Sequence, residues 1–276
     1  MKDFRSIILE WYEKNKRDTL PWRKVRNPYH ILVSEIMLQQ TQVSRVLIKY
    51  PEFLSAFPTM RDLALSPLEV VLVVWQGMGY NRRALYLKQA AGEVIEKYRG
   101  VIPSDIETLK TLSGVGSYTA GAIACFAFNQ PSVFLDTNIR KVFIHFFFAQ
   151  KEKVSDKEIL PLVEKYLLPE NPRDWYYALM DYGSALLVSK NNVGRKAKNY
   201  RKQSSFVGST RYFRSKILRH ILMRKSVSEG ELVKEISQDN NFNPSIDPTR
   251  ILLALEKETF IVRDKNNNYN FILEPS

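Results

Sequence analysis

Cysteine is almost missing from this 276-residue chain. Cys125 stands alone, so no internal disulfide can form and no set of cysteines exists to hold zinc or an iron–sulfur cluster. Acidic residues are also short: 29 Asp and Glu face 41 Lys and Arg, leaving a formal net charge of +12 and a pI near 9.6. That balance suits a polyanionic partner. Apolar runs are brief, and Ala120–Phe128 and Val142–Ala149 fall far short of the roughly 18 residues a membrane helix requires. No transmembrane segment and no membrane partner are expected. The first residues, MKDFRSIILEWYEKN, enter charged helical periodicity directly, without the regions of a secretory signal. A reducing, cytoplasmic location follows, at the nucleoid if the source is bacterial. With 45% hydrophobic and 12% aromatic residues against only 11 Gly and 13 Pro, the chain has material for one or two packed cores and is not disordered.

The positive excess is concentrated. Between Lys190 and Lys225 lie twelve basic residues and no acid, which equals the whole net charge. Inside that span, SKNNVGRKAKNYRKQSSFVGST lacks hydrophobic period and reads as a connector. The expected organisation is therefore a domain over residues 1–188, a basic linker over 189–210 and a small domain over 211–276. A solvated linker and a phosphate-neutralising tract both fit this composition.

Residues 1–188 show apolar residues at three- and four-residue spacing in Phe4–Tyr12, Ile31–Leu47, Leu68–Trp75, Leu85–Tyr98 and Ile139–Phe147, with almost no strand-like alternation. Polar starts precede two such runs, Ser66-Pro67 before Leu68 and Ser104 before Ile106–Leu112. The fold class is mainly α. Beyond the linker, helical patterns at Arg211–Met223, Glu229–Ser237 and Thr249–Lys257 are followed by strand-like runs Phe260–Arg263 and Tyr269–Leu273 around an Asn-rich turn. Three helices and a hairpin suggest a winged helix. Arg211, Arg214, Lys216 and Arg219 have spacings that can share a helical face suited to DNA-backbone contacts.

Three groups of residues carry chemistry. Gly114-Val115-Gly116-Ser117, with helical pattern on each side, reads as a helix–hairpin–helix: two glycines permit a tight turn, and a helix beginning at Ser117 offers free N–H groups to a phosphate. Gly-x-Gly also closes ordinary helices. Glu35 lies among Ile31, Leu32, Ile36, Leu38 and Val43, so a buried carboxyl with a raised pKa is one reading and a surface glutamate the other. Asp136 ends an apolar run just before Ile139–Phe147, where it serves as a helix N-cap or as a second catalytic carboxylate. Cleaving a base–sugar bond calls for such a pair, one acid to protonate the leaving base and one carboxylate to stabilise the sugar cation.

The segments LPWRKVRNPYHILVSEIMLQQTQV, QGMGYNRRALYLKQAA, LSGVGSYTAGAIA, FLDTNIRKVF and YYALMDYGSALL together resemble the adenine DNA glycosylase (MutY) family of the helix–hairpin–helix (HhH-GPD) glycosylase superfamily. SEIMLQQTQV is the most specific of them. The resemblance covers roughly residues 1–188 and implies two α-helical subdomains with DNA in the cleft between them and the target base flipped into a pocket. It implies that Glu35 protonates adenine, that Asp136 stabilises the sugar cation or a covalent intermediate, and that Tyr118 and Asn138 support this chemistry. By the same resemblance Trp22 and Arg23 form a pocket wall and a nearby polar contact, Gln40 and Thr41 lie near the base opposite the target, Gln39 beside them is a further substrate- or DNA-binding residue, and Tyr80 is the wedge entering the stack. A tyrosine at position 118 cannot form the Schiff base of strand-cleaving relatives, so a monofunctional enzyme is expected.

Two departures stand out. Relatives carry four cysteines after the MDxG segment for a four-iron cluster, whereas here Leu187 stands where the first would fall and none follows. No cofactor is expected, and a loosely bound ion at the hairpin carbonyls is left open. The family's Nudix-like C-terminal domain is replaced by the shorter winged-helix-like segment, which bears on preference for 8-oxoguanine. The expected partner is double-stranded DNA with a mismatched or oxidised base, bound by a monomer. Two alternatives remain at this stage, a thymine or uracil glycosylase acting opposite guanine and a DNA-binding protein without catalysis.

Overall fold

Helices dominate the computed structural model, which describes residues 3–186, 193–201 and 205–271. In chain order they are α1 (Phe4–Asn15), α2 (Pro28–Leu38), α3 (Val43–Ala56), α4 (Met60–Leu65), α5 (Leu68–Val74), α6 (Arg82–Tyr98), α7 (Ile106–Leu109) and α8 (Ser117–Phe128). Then follow α9 (Thr137–Phe147), α10 (Asp156–Lys165), α11 (Pro172–Ala185), α12 (Thr210–Arg224), α13 (Glu229–Ser237) and α14 (Pro248–Lys257). Three short strands, β1 (Ser226–Ser228), β2 (Ile261–Arg263) and β3 (Asn268–Phe271), accompany the last helices. The chain divides into two compact units, Met1–Gln39 with Val101–Lys202 and Gln40–Gly100 with Gln203–Ser276.

The first unit is organised by aromatic packing. Phe4 on α1 sits among Phe143, Phe146, Phe147, Tyr166 and Trp175, with ring centroids 5.0–5.9 Å away, mostly edge to face as the ring quadrupoles favour. The neighbouring Arg5 donates to the carbonyls of Lys165, Tyr166 and Leu167, satisfying acceptors left over at the end of α10. Helix α8 is apolar on every side, and Thr119–Phe126 are all buried, as befits a central helix.

In the second unit Trp75, Phe53 and Phe57 form the core beneath α3 and α5. Its C-terminal part has the order helix, strand, helix, helix, strand, strand, with sheet order β1-β3-β2 and both pairings antiparallel. This is the winged-helix arrangement. Asp264 shapes its turn by accepting from Asn266 N and Asn268 N at 2.8 and 2.9 Å, an Asx motif.

Several boundaries differ from the sequence expectation. The period through Ile31–Leu47 suggested one helix, but α2 ends at Leu38 and Gln40 turns left-handed with φ 53°. Four successive polar residues, Gln39–Gln42, interrupt the apolar stripe there. Asp105, not Ser104, caps α7, accepting from Thr108 N at 2.8 Å, and the expected helix to Leu112 ends at Leu109 in two tight turns. The three-residue strand β1 was not anticipated, because a strand this short is specified by its partner β3 and not by local pattern. Leu187, Lys190, Lys202 and the end of the expected strand Tyr269–Leu273 lie outside the described residues.

Candidate active site

Helix α2 starts where Asn27 accepts from the N–H groups of Tyr29 and His30 and Pro28 takes the first helical position, a strong local start signal. It then buries Ile31 through Met37 without a break. Glu35 is therefore carried inside, 6% exposed, where the Tyr118 hydroxyl donates to its Oε2 at 2.9 Å. Burial pushes its carboxyl up to about 7; the negative charge of Asp136 adds to this, while the Tyr118 hydrogen bond and Arg23 oppose it. Burial also raises the Tyr118 phenol well above its usual range, so it remains a proton donor at neutral pH.

Asp136 serves as a cap and as a second acid of the site. Its Oδ1 accepts from Ile139 N at 2.6 Å at the start of α9, and Asn138 Nδ2 lies 3.3 Å from Oδ2. Lys141, one turn along, donates to Asn138 Oδ1 at 3.1 Å. Burial raises the Asp136 carboxyl, opposed by the backbone N–H groups of Ile139 and Asn138 and by Lys141 and Arg140. Burial in turn lowers the Lys141 ammonium.

Behind this pair lies an ion-pair network that sequence reasoning did not single out. Asp181 on α11 is 2% exposed and accepts from both Arg23 guanidinium nitrogens at 2.7 Å, from Arg17 Nε at 2.6 Å and from Arg17 N at 3.0 Å. Arg23 also lies 4.4 Å from the centroid of the Tyr177 ring. Arg23 thus faces a carboxylate inside the protein, and Trp22 beside it is buried in the tight helical turn Pro21–Arg23. A hint was present in the sequence, since MDYG was one of the segments carrying the resemblance.

Gly183, two residues on, is a second such position. A Cβ there would come within 2.2 Å of Asn138 O and 2.6 Å of its carbonyl carbon, so α11 approaches the backbone that presents Asp136 more closely than any side chain allows. Gly183→Ala is expected to destabilise the protein by about 1–3 kcal/mol through overpacking, although alanine is the better helix former. A denaturant melt showing no loss would mean that α9 yields freely.

The hairpin takes its expected form. Gly114 has φ 76°, Val115 is buried with its N–H donating to Leu112 O at 3.1 Å, and Gly116 precedes α8 at Ser117, which has no side-chain cap. Gln39 Nε2 reaches Thr119 Oγ1 at 3.3 Å. The first unit therefore brings together Glu35, Tyr118, Asp136, Asn138 and Arg23. Gln40, Thr41 and Tyr80 belong to the second unit, where they line a cavity of about 470 Å³. The expected cationic face of α12 is divided: Arg214 pairs with Glu258 and Lys216 with Asp239, at 2.5 and 2.8 Å, because the acids of α13 and the following segments reach them.

The sequence matches the family described as HhH-GPD superfamily base excision DNA repair protein over residues 33–167. A solved structure of a thermostable thymine-DNA glycosylase superposes with a TM-score of 0.61 at 30% identity, covering 71% of this chain and 88% of that one. The chain belongs to the HhH-GPD superfamily. Within the superfamily, the adenine DNA glycosylase of Buchnera aphidicola subsp. Baizongia pistaciae is 36% identical over 189 residues, 68% of this chain and 54% of the relative. That of Mycobacterium tuberculosis is 46% identical over 136 residues, 49% and 44% of the two chains. The match thus spans about half the length of these curated relatives. The four-iron cluster of the resembled relatives does not fit this chain, whose single cysteine is buried inside α8 with its thiol pushed up by that burial. No helix among the described residues is long and apolar enough to cross a membrane.

Proposed function

We propose that this chain is a monofunctional DNA glycosylase that hydrolyses the N-glycosidic bond of adenine mispaired with 8-oxoguanine or guanine in double-stranded DNA. The reading rests above all on Glu35, a buried carboxyl with a pKa near 7 whose lone side-chain partner among the hydrogen bonds above is a phenol. At neutral pH such a group holds a proton that it can deliver to a leaving base, the condition for efficient general acid catalysis. Asp136, held by backbone N–H groups and by Asn138, supplies the negative charge that a sugar cation needs. Water completes the reaction. Tyr118 has no amine with which to form an imine, so the product is an abasic site in an intact strand. The uncapped start of α8 after Gly116 suits a DNA phosphate, and the adenine specificity of the curated relatives supports the base assignment.

The likeness to a thymine-DNA glycosylase favours one alternative, removal of thymine or uracil opposite guanine. Single-turnover excision on duplexes carrying A opposite 8-oxoguanine, A opposite G, and T or U opposite G separates the two. Adenine release, fastest opposite 8-oxoguanine, is expected. Release of thymine or uracil alone would move the enzyme to the other specificity, and release of no base would leave a DNA-binding protein.

A further inference from the structure

The winged helix of the second unit sorts its charges. Its acids are engaged within the unit: Glu229 pairs with Arg263 at 3.1 Å, Glu231 with Arg224 at 2.7 Å, Asp239 with Lys216 at 2.8 Å, and Glu235 with His220. Glu258 holds both Arg214 and Arg82 of α6 at 2.5 Å. Asp247 caps α14 by accepting from the N–H groups of Thr249 and Arg250, and Asp264 is taken up by the N–H groups of the turn between β2 and β3. On α12, these pairs consume Arg214, Lys216, His220 and Arg224. Among the cations left over are Arg250, Lys257 and Lys265, which are exposed and have no carboxylate partner among the described residues.

Two of these share one face. Ile251, Leu252 and Leu255 turn α14 into the core, so its outward ridge is Arg250, Leu253 and Lys257, at spacings of three and four residues, with Leu253 47% exposed between the two cations. Glu256 lies on the flank and not on the ridge. The rise from Arg250 to Lys257 is about 10 Å, far enough for the two cations to meet different phosphates. Helix α14 packs against β2, and the turn that follows β2 is fixed by Asp264 and by the left-handed backbone of Asn267, φ 58°. That turn presents Lys265, Asn266 and Asn267 to solvent. A protruding helix with cations on either side of an apolar residue fits the major groove, where phosphates line both edges and thymine methyl groups lie within. Asparagine amides beside it suit the backbone or base edges.

We propose that α14 and the β2–β3 turn form a second DNA contact of this chain, built from residues outside the glycosylase site. The ridge lies in the major groove with Arg250 and Lys257 on phosphates, and Lys265 meets the backbone beside it. The contact expected of α12 thus falls to α14. The proposal rests on the glycosylase reading for DNA as the partner, so its test uses a duplex without a lesion and reads binding alone.

The affinity of the full chain for such a duplex is measured over a range of salt. Arg250→Ala/Lys257→Ala is expected to bind about tenfold more weakly, with the slope of log affinity against log salt reduced by about 1.8 for two lost phosphate contacts. Lys265→Ala alone should reduce it by about 0.9, and Leu253→Glu, which sets a negative charge on the ridge, should weaken binding without changing the thermal melt. Arg224→Ala, an exposed cation of the same unit that is paired with Glu231, should keep the wild-type affinity and slope. Wild-type affinity and slope in the double variant would overturn the proposal and leave the ridge to a protein partner. Arg224→Ala weakening binding as much as Arg250→Ala would overturn it as well, since overall charge would then suffice. If the double variant loses duplex affinity while the excision assay releases no base, the contact stands and the glycosylase reading falls.

Discussion

Asp181→Asn is expected to remove about 3–5 kcal/mol of stability at pH 7, the usual cost of breaking a buried ion pair from one side. The buried carboxylate takes four hydrogen bonds from Arg17 and Arg23. The Arg23 side chain is itself only 6% exposed, so its cation would lose its partner without gaining water. Burial alone would raise the Asp181 carboxyl, but Arg23 and Arg17 outweigh it and hold the carboxyl below its ordinary value. A depressed folded pKa gives stability that is full above the unfolded value near 3.9 and is lost as pH falls through the folded value. Urea melts should therefore show wild type and variant far apart at pH 7 and drawing together below about pH 4. Equal midpoints at pH 7 would show that the network contributes nothing.

Glu35→Gln should have opposite effects on activity and stability. Removing a general acid is expected to slow excision by roughly 10²–10⁴-fold, with DNA affinity retained because the amide keeps the size and polarity of the side chain. Wild-type excision should itself fall by about tenfold per pH unit above about 7. For stability the sign is reversed relative to Asp181. The folded carboxyl has its pKa raised from 4.5 to about 7, so its favourable protonation is fully present below 4.5 and is lost as pH rises through about 7. Above that pH the fold carries a buried charge that glutamine never acquires. At pH 8 the variant should be more stable than wild type by roughly 3 kcal/mol at most, and near pH 4 the two should be alike. Paired thermal melts at the two pH values check this, and a variant less stable at pH 8 would mean that the Glu35 charge is stabilised in the fold.

Much of the helical framework was legible from local pattern. The run Glu229–Ser237 coincides with α13, and the runs ending at Phe147 and Lys257 coincide with the ends of α9 and α14, since each is an amphipathic stripe with a cap at its edge. The break after Leu38 was not legible, because the apolar spacing continues across it and only the polar stretch Gln39–Gln42, with Arg83 holding Thr41, sets the turn. Glu35 and Asp136 could be named from their types and positions, and Tyr118 only from the family resemblance. Their joint burial could not, since by residue type and local pattern a surface glutamate and an ordinary N-cap are the commoner readings.

Composition, periodicity and the ordered segments determined by themselves a basic, mainly helical protein without cysteine ligands, its hairpin and its pair of candidate carboxylates, because these depend on residue type and short-range spacing. Tertiary structure alone decided that Asp181 neutralises Arg23, that Gly183 admits the backbone of Asn138, that α12 meets the Gly77–Asn81 loop around a cavity, and that the Glu35 carboxyl titrates near neutrality. Each of these is set by contacts between residues distant in the chain, and by the exclusion of water that such contacts produce, which no local pattern records.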